Sequence, residues 1–278
     1  YSNGKKNYIM RILFLGDVVG NSGCSKIKSS LPTQIEDRNI DFVIVNAENA
    51  AAQGVGLTQE ICTDFFNCGV NVITTGNHVW DQKEIMSFAD KEKRLLRPRN
   101  LFEPAPGKGF EIYTTSKNIK IGVLNLMGNV FMKKCEDVFE EAKKFINKIK
   151  LKQDVDFIVV DMHGEITSEK MAMGFLFDGK ATMIVGTHTH VPTSDHRILQ
   201  KGTAYQTDLG MCGDYESVIG MNRENSLKKF LKDPSAKHHF PALGEATLSG
   251  LIVSADDSTG LAKKVQPIIL GGSLQERK

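Results

Sequence analysis

Two histidines one residue apart, His188 and His190, stand in the stretch VGTHTHVPT (185–193), at the end of an apolar run, in a chain that has only seven histidines. In extended backbone, residues two apart face the same way with α-carbons roughly 6.6 Å apart, so both rings could serve one metal or two adjacent ones. Nitrogen and oxygen donors without thiolate suit Mn, Fe, Ni or Zn in a catalytic role rather than a structural thiolate-bound zinc.

The pair has company. Asp17 closes one apolar run, Asn46-Ala47-Glu48-Asn49 a second, Gly76-Asn77-His78 a third and Asp161-Met162-His163 a fourth. Taken singly, each has an ordinary explanation: Asp17 as a turn former or helix cap, Gly76-Asn77-His78 as a turn with an exposed ring, His163 as a hydrogen-bonded core histidine. Taken in order, five strand ends deliver acids, amides and imidazoles to the place where ligand sites of open α/β sheets gather.

The elements that must position them alternate regularly. Segments 11–17, 41–49 and 70–75 read as buried strands, and 25–39, 58–69 and 81–90 as helices, with Gly69 as a stop and Asp81 as an N-cap. Segments 110–116 and 119–128 read as a hairpin turning at Ser116-Lys117-Asn118, followed by an amphipathic helix over 136–151. Strands over 156–165 and 181–190 flank a helix over 168–177, and the C-terminal part reads as a run of antiparallel strands with a turn at Asp257-Ser258-Thr259-Gly260.

These residues resemble the calcineurin-like metallophosphoesterases, whose pattern runs Asp-x-His, Gly-Asp, Gly-Asn-His, His and Gly-His-x-His. The likeness is closest to the YmdB-like branch, in which GD(I/V)VG, AEN, GNHxW, H(A/G)E and GTHTHVxT recur, and it covers essentially the whole chain. Two departures from the wider superfamily, Asp17-Val18-Val19 where Asp-x-His is usual and Glu48 in place of the bridging Asp, are features of that branch. The resemblance implies an α/β sandwich of two mixed β-sheets flanked by helices, formed by a single domain over 10–278 after a short leader or flexible segment over 1–9. It also implies a phosphodiesterase with two divalent transition metals, Fe or Mn ahead of Zn, acting on small phosphodiesters such as 2′,3′-cyclic nucleotides, 2′,3′-cAMP among them. Asp17, Glu48 and His190 would hold one metal, with Asn49 as a further ligand or a phosphate contact. Glu48 would bridge to a second metal held by Asn77, His163 and His188. His78 would contact the substrate and donate a proton to the departing ribose oxygen, work that suits an imidazole.

Composition trims the alternatives. Lys+Arg 35 against Asp+Glu 33 gives no field for duplex nucleic acid. Runs such as FVIV (42–45) and FIVV (157–160) are far too short to span a bilayer. Five cysteines without CxxC spacing suggest neither a disulfide framework nor a zinc ribbon, and point to the reducing cytoplasm. GDVVGNSG lacks the G-x-G-x-x-G spacing of a dinucleotide-binding oxidoreductase. A metal-containing nucleotide-binding or signalling regulator with slow hydrolysis is the alternative, and measured turnover separates the two. The oligomeric state, a homo-oligomer included, stays open. His196 and the pair His238 and His239 have no role in this scheme, the pair reading as a surface-loop feature.

Overall fold

The computed structural model describes residues 8–277. Of the expected leader, residues 1–7 lie outside the described residues, Tyr8 donates through its hydroxyl to Asp41 Oδ1, and Ile9 opens the first strand. In the first half come β1 (Ile9–Leu15), β2 (Asp17–Val18), α1 (Gly20–Asp37), β3 (Phe42–Asn46), α2 (Gln59–Asn67), β4 (Val72–Thr74), α3 (Ile85–Ala89), β5 (Phe110–Thr114), β6 (Lys120–Met127) and α4 (Val138–Lys148). The second half holds β7 (Phe157–His163), α5 (Thr167–Phe177), β8 (Met183–Thr187), β9 (Arg197–Ile198), β10 (Ala204–Gln206), β11 (Met211–Asp214), α6 (Arg223–Phe230), β12 (Ala246–Asp256) and β13 (Ala262–Leu270).

Two mixed sheets stack face to face. The first runs β2-β11-β12-β1-β3-β4, with β13 on β12, and the second runs β5-β6-β7-β8-β10-β9. Period-two alternation decides what each strand offers to each layer. In β1, Leu13 and Leu15 face α1 and α2 with Ile27, Leu31 and Phe65, while Ile12 and Phe14 face the other sheet. In β7, Ile158, Val160 and Met162 pack on α4 and α5, while Phe157 and Val159 face the first sheet. Helix α4 buries Val138, Ala142 and Phe145, one stripe at helical spacing, and starts at Asp137, whose side chain accepts from Glu140 N at 2.8 Å. The result is an α/β sandwich with an apolar layer between the sheets and one under each set of helices.

The inter-sheet face changes character along the strands. Its aliphatic residues Ile44, Val72, Val123, Val159 and Val185 are each followed two residues later by Asn46, Thr74, Asn125, Asp161 and Thr187, all buried. One further step along β7 brings His163. The strands therefore build a dry core at one end of the sandwich and a buried polar cluster at the other.

Several expectations need correction. Helix α1 starts at Gly20 rather than near residue 25, and its first turn packs on β11, where a Cβ at Gly23 would sit 2.3 Å from the Cys212 carbonyl oxygen. Helix α3 covers only Ile85–Ala89, and Asp81 is not its cap. The C-terminal part is not purely antiparallel: β10 joins β8, and β11 joins β2, in parallel, and α6 interrupts the strands. The His188-Thr189-His190 segment is not extended either, since β8 ends at Thr187 and φ is 101° at His188 and 64° at His190. No helix among the described residues is long and apolar enough to cross a membrane.

Candidate active site

His163 lies at the centre of the polar cluster and is fully buried. Thr187 fixes its orientation. The Thr187 hydroxyl has one hydrogen, donated to Asp161 Oδ1 at 2.7 Å, so it accepts from His163 Nδ1–H at 2.8 Å. Asp161 is held in turn by Thr74 Oγ1 at 2.5 Å and Asn46 Nδ2 at 3.0 Å, and burial raises its carboxyl above the ordinary range. His163 Nε2 is left facing inward, with Glu48 Oε1 at 2.9 Å, Asn77 Oδ1 at 3.0 Å and His188 Nδ1 at 3.2 Å. Gly76 makes this approach possible, since a Cβ there would lie 2.2 Å from His163 Nε2 and 2.4 Å from Glu48 Oε2.

The other two imidazoles are pinned in the same manner. His188 Nε2 points at Glu165 Oε2, 3.1 Å away, so Nδ1 is its inward nitrogen. His190 Nδ1 donates to the Ile219 carbonyl at 2.7 Å, which turns Nε2 toward Asn49 Oδ1 at 3.3 Å. Asn49 presents that oxygen because its Nδ2 donates to Gly54 O at 2.9 Å. Asp17 accepts from His188 N at 3.0 Å through Oδ2, while its buried Oδ1 has no hydrogen-bond partner and lies 3.8 Å from His163 Nδ1. A partner on the outer nitrogen of each ring is the arrangement that orients metal-ligating histidines.

The H-x-H pair is thereby split: His188 joins Glu48, His163 and Asn77, and His190 joins Asn49. The turn that splits it is held by a buried ion pair. Lys170 Nζ donates to Thr187 O at 2.8 Å and to Asp208 Oδ2 at 2.7 Å, and the same Asp208 oxygen accepts from Thr189 N at 3.0 Å. His78 stands at the edge, with its N donating to Glu48 Oε2 at 2.9 Å and its Nδ1 2.6 Å from Asp81 Oδ2. The sequence reading gave no site role to Asp81, which it took for a helix cap, nor to Glu165, Thr187, Lys170 or Asp208. Asp81 and Glu165 stand within three residues of a marked histidine, whereas Lys170 and Asp208 are distant in sequence and carried no signal. His196 is partly buried outside this cluster, and His238 and His239 are exposed.

The donor set fits a cation. One ligand atom each from Glu48, His163 and His188 lies within 4.8 Å of the others, and acceptors outnumber donors around His163 Nε2. Without a metal, a proton takes that place: burial opposes it, but Glu48 overrides burial and raises His163 to about 9. Burial likewise pushes the Glu48 carboxyl up, and His163 more than reverses this, holding it at about 2. Burial, assisted by the charge on His163, lowers His188 to about 3, and burial raises Asp17 to about 6.

Comparison with known proteins places the chain among nearly full-length relatives. The chain is 42% identical over 261 residues to the 2′,3′-cyclic-nucleotide 2′-phosphodiesterase of Bacillus subtilis (strain 168), covering 94% of this chain and 97% of that one. A phosphatase of known structure from Mycoplasma pneumoniae is 39% identical with a TM-score of 0.87, over 95% of this chain and 94% of that one. A hypothetical protein from Thermus thermophilus is 35% identical with a TM-score of 0.85, over 97% and 100%. The family model described as YmdB-like protein matches residues 13–268, and with nearly full-length relatives alongside it the chain belongs to the YmdB-like protein family.

Proposed function

We propose that this hydrolase is a metal-dependent phosphodiesterase acting on small phosphodiesters, 2′,3′-cyclic nucleotides such as 2′,3′-cAMP among them. The observation that supports this most is the convergence of Glu48, Asn77 and His188 acceptors on His163 Nε2 beside the unpartnered Asp17 Oδ1. Asp17, Asn49 and His190 would hold one divalent ion, Asn77, His163 and His188 a second, and Glu48 both, with Fe or Mn preferred over Zn. When bound, two such ions supply Lewis acidity toward phosphate oxygens and lower the pKa of an attacking water.

The side chains do the rest. Asp81 holds His78 Nδ1–H, so the opposite nitrogen, Nε2, is the one available to the substrate. As the bond from phosphorus to the ribose oxygen breaks, His78 gives its Nε2 proton to that oxygen, the 2′ oxygen if the chain follows its Bacillus relative, while a new bond forms between phosphorus and the water oxygen, which releases a proton to solvent. Glu48 fixes the His78 backbone and so couples the acid to the metal ligands. A reducing compartment, the cytoplasm, suits the five free thiols.

Purified protein reconstituted with Mn²⁺ should hydrolyse 2′,3′-cAMP faster than a phosphomonoester, and EDTA should abolish the activity. Equal rates in EDTA and in Mn²⁺ would refute the reading.

A further inference from the structure

The metal ligands address a phosphate, and a nucleotide also brings a base. The loop over 128–137, between β6 and α4, is anchored to the site twice. It leaves the second sheet beside His163: Met127 is the register partner of His163, and Gly128 N donates to His163 O at 2.8 Å. It meets the site again at Lys133, whose Nζ donates to Asn77 O at 2.5 Å and lies 3.5 Å from Asp81 Oδ1. Its first turn is rigid, with Asn129 N on Glu169 Oε1 at 2.8 Å and Asn129 Oδ1 accepting from Val138 N at 2.9 Å.

Between the two anchorages Val130 and Phe131 stand 46% and 84% exposed, and Phe131 has φ 59°, a backbone conformation that bulky L residues avoid. The loop thus holds an aromatic ring out in water, two residues before Lys133 and its bond to Asn77 O. Two side chains are far less than the roughly 800 Å² per partner that a standard protein interface buries, but they match one planar base.

We infer that Phe131 is the surface on which the base of a nucleotide substrate stacks, with Lys133 as the positioning residue that ties the loop to Asn77 and Asp81. The inference rests on the nucleotide reading above. Stacking tolerates any base because every base has a π-face, so the selectivity is for a nucleotide over a base-free cyclic phosphate. Loss of one base–aromatic stack corresponds to roughly 5- to 150-fold in affinity.

The test uses metal-loaded protein in two measurements. In calorimetry, Phe131→Ala should weaken adenosine 3′-phosphate binding by about tenfold, at the low end of that range, and Phe131→Trp should restore it. In steady state, kcat/KM for 2′,3′-cAMP relative to methyl riboside 2′,3′-cyclic phosphate should fall by the same factor, through KM. Lys133→Ala should raise the same KM by a smaller factor, and Lys133→Arg should recover it. Unchanged nucleotide binding in Phe131→Ala, equal losses on the two cyclic phosphates, or a parent protein that does not bind adenosine 3′-phosphate would each overturn the inference. If the parent binds the nucleotide through Phe131 but hydrolyses neither cyclic phosphate, the inference stands and the phosphodiesterase reading falls.

Discussion

Glu48, Asn77 and His188 all present acceptors to one nitrogen of His163, which makes metal and proton competitors for the same position. Because His163 is raised to about 9, a metal entering at neutral pH must displace its proton, and affinity should climb with pH toward 9 and flatten above it. Asp17, raised to about 6, adds a second loss of affinity below that pH. Titration calorimetry at pH 7 in buffers of differing ionisation enthalpy should register proton release on metal binding, and an affinity that stays constant from pH 6 to 9 would contradict the geometry. His78 makes a different demand. His78→Ala should lower turnover of 2′,3′-cAMP by about 100-fold or more while metals per chain are retained, and lose less on a p-nitrophenyl diester, whose leaving group needs no proton. Equal losses on both substrates would make His78 a phosphate contact instead of the acid.

At the scale of elements, the turn between β8 and β9 is held by the ion pair of Lys170 on α5 and Asp208 between β10 and β11, with side chains 1% and 0% exposed. Lys170→Met leaves the Asp208 carboxylate buried and unpaired, a change that costs about 3–5 kcal/mol, whereas the double variant Lys170→Met/Asp208→Leu removes both charges and should recover part of that loss. Urea unfolding of the metal-free variants measures it; a double variant no more stable than Lys170→Met would show that the charges are not the issue. Metal retention should fall in both, because Thr189 N loses its fixed acceptor or its neighbour. Much of the site was legible in the sequence because polar residues at strand ends are local signals: strand parity sends His163 inward from β7, and Glu48, Asn77 and His188 converge on it from the loops that follow β3, β4 and β8. The extended H-x-H was wrong for a reason that local pattern does not carry. The left-handed backbone at His188 and His190 is imposed by Asp17 and Asp208, which lie on other elements and accept from the His188 and Thr189 amides. Helix α6 escaped notice because its Leu227, Phe230 and Leu231 neighbourhood is exposed and offers no core-facing stripe.

At the scale of the molecule, the first sheet and its loops supply Asp17, Glu48, Asn49 and Asn77, and the second supplies His163, His188 and His190. A metal that binds only the folded form stabilises it by about 2.7 kcal/mol per site at 100 times its dissociation constant. Calorimetric scans should therefore show a higher melting temperature with Mn²⁺ than with EDTA, by several degrees, and the difference should vanish in Glu48→Ala, where the residue shared by both proposed metals is gone. An equal gain in Glu48→Ala would assign the effect to another part of the surface. The alternation that sends Asp161 and His163 between the sheets and Val160 and Met162 toward the helices has an additional effect. A slip of one residue in β7 would exchange those two sets and point the imidazole into the helix layer. The metal proposed at His163 would then act as a checksum on strand register: a refolded population with native helix and strand content but misregistered β7 would lose that metal, and its occupancy would count only the correctly threaded chains.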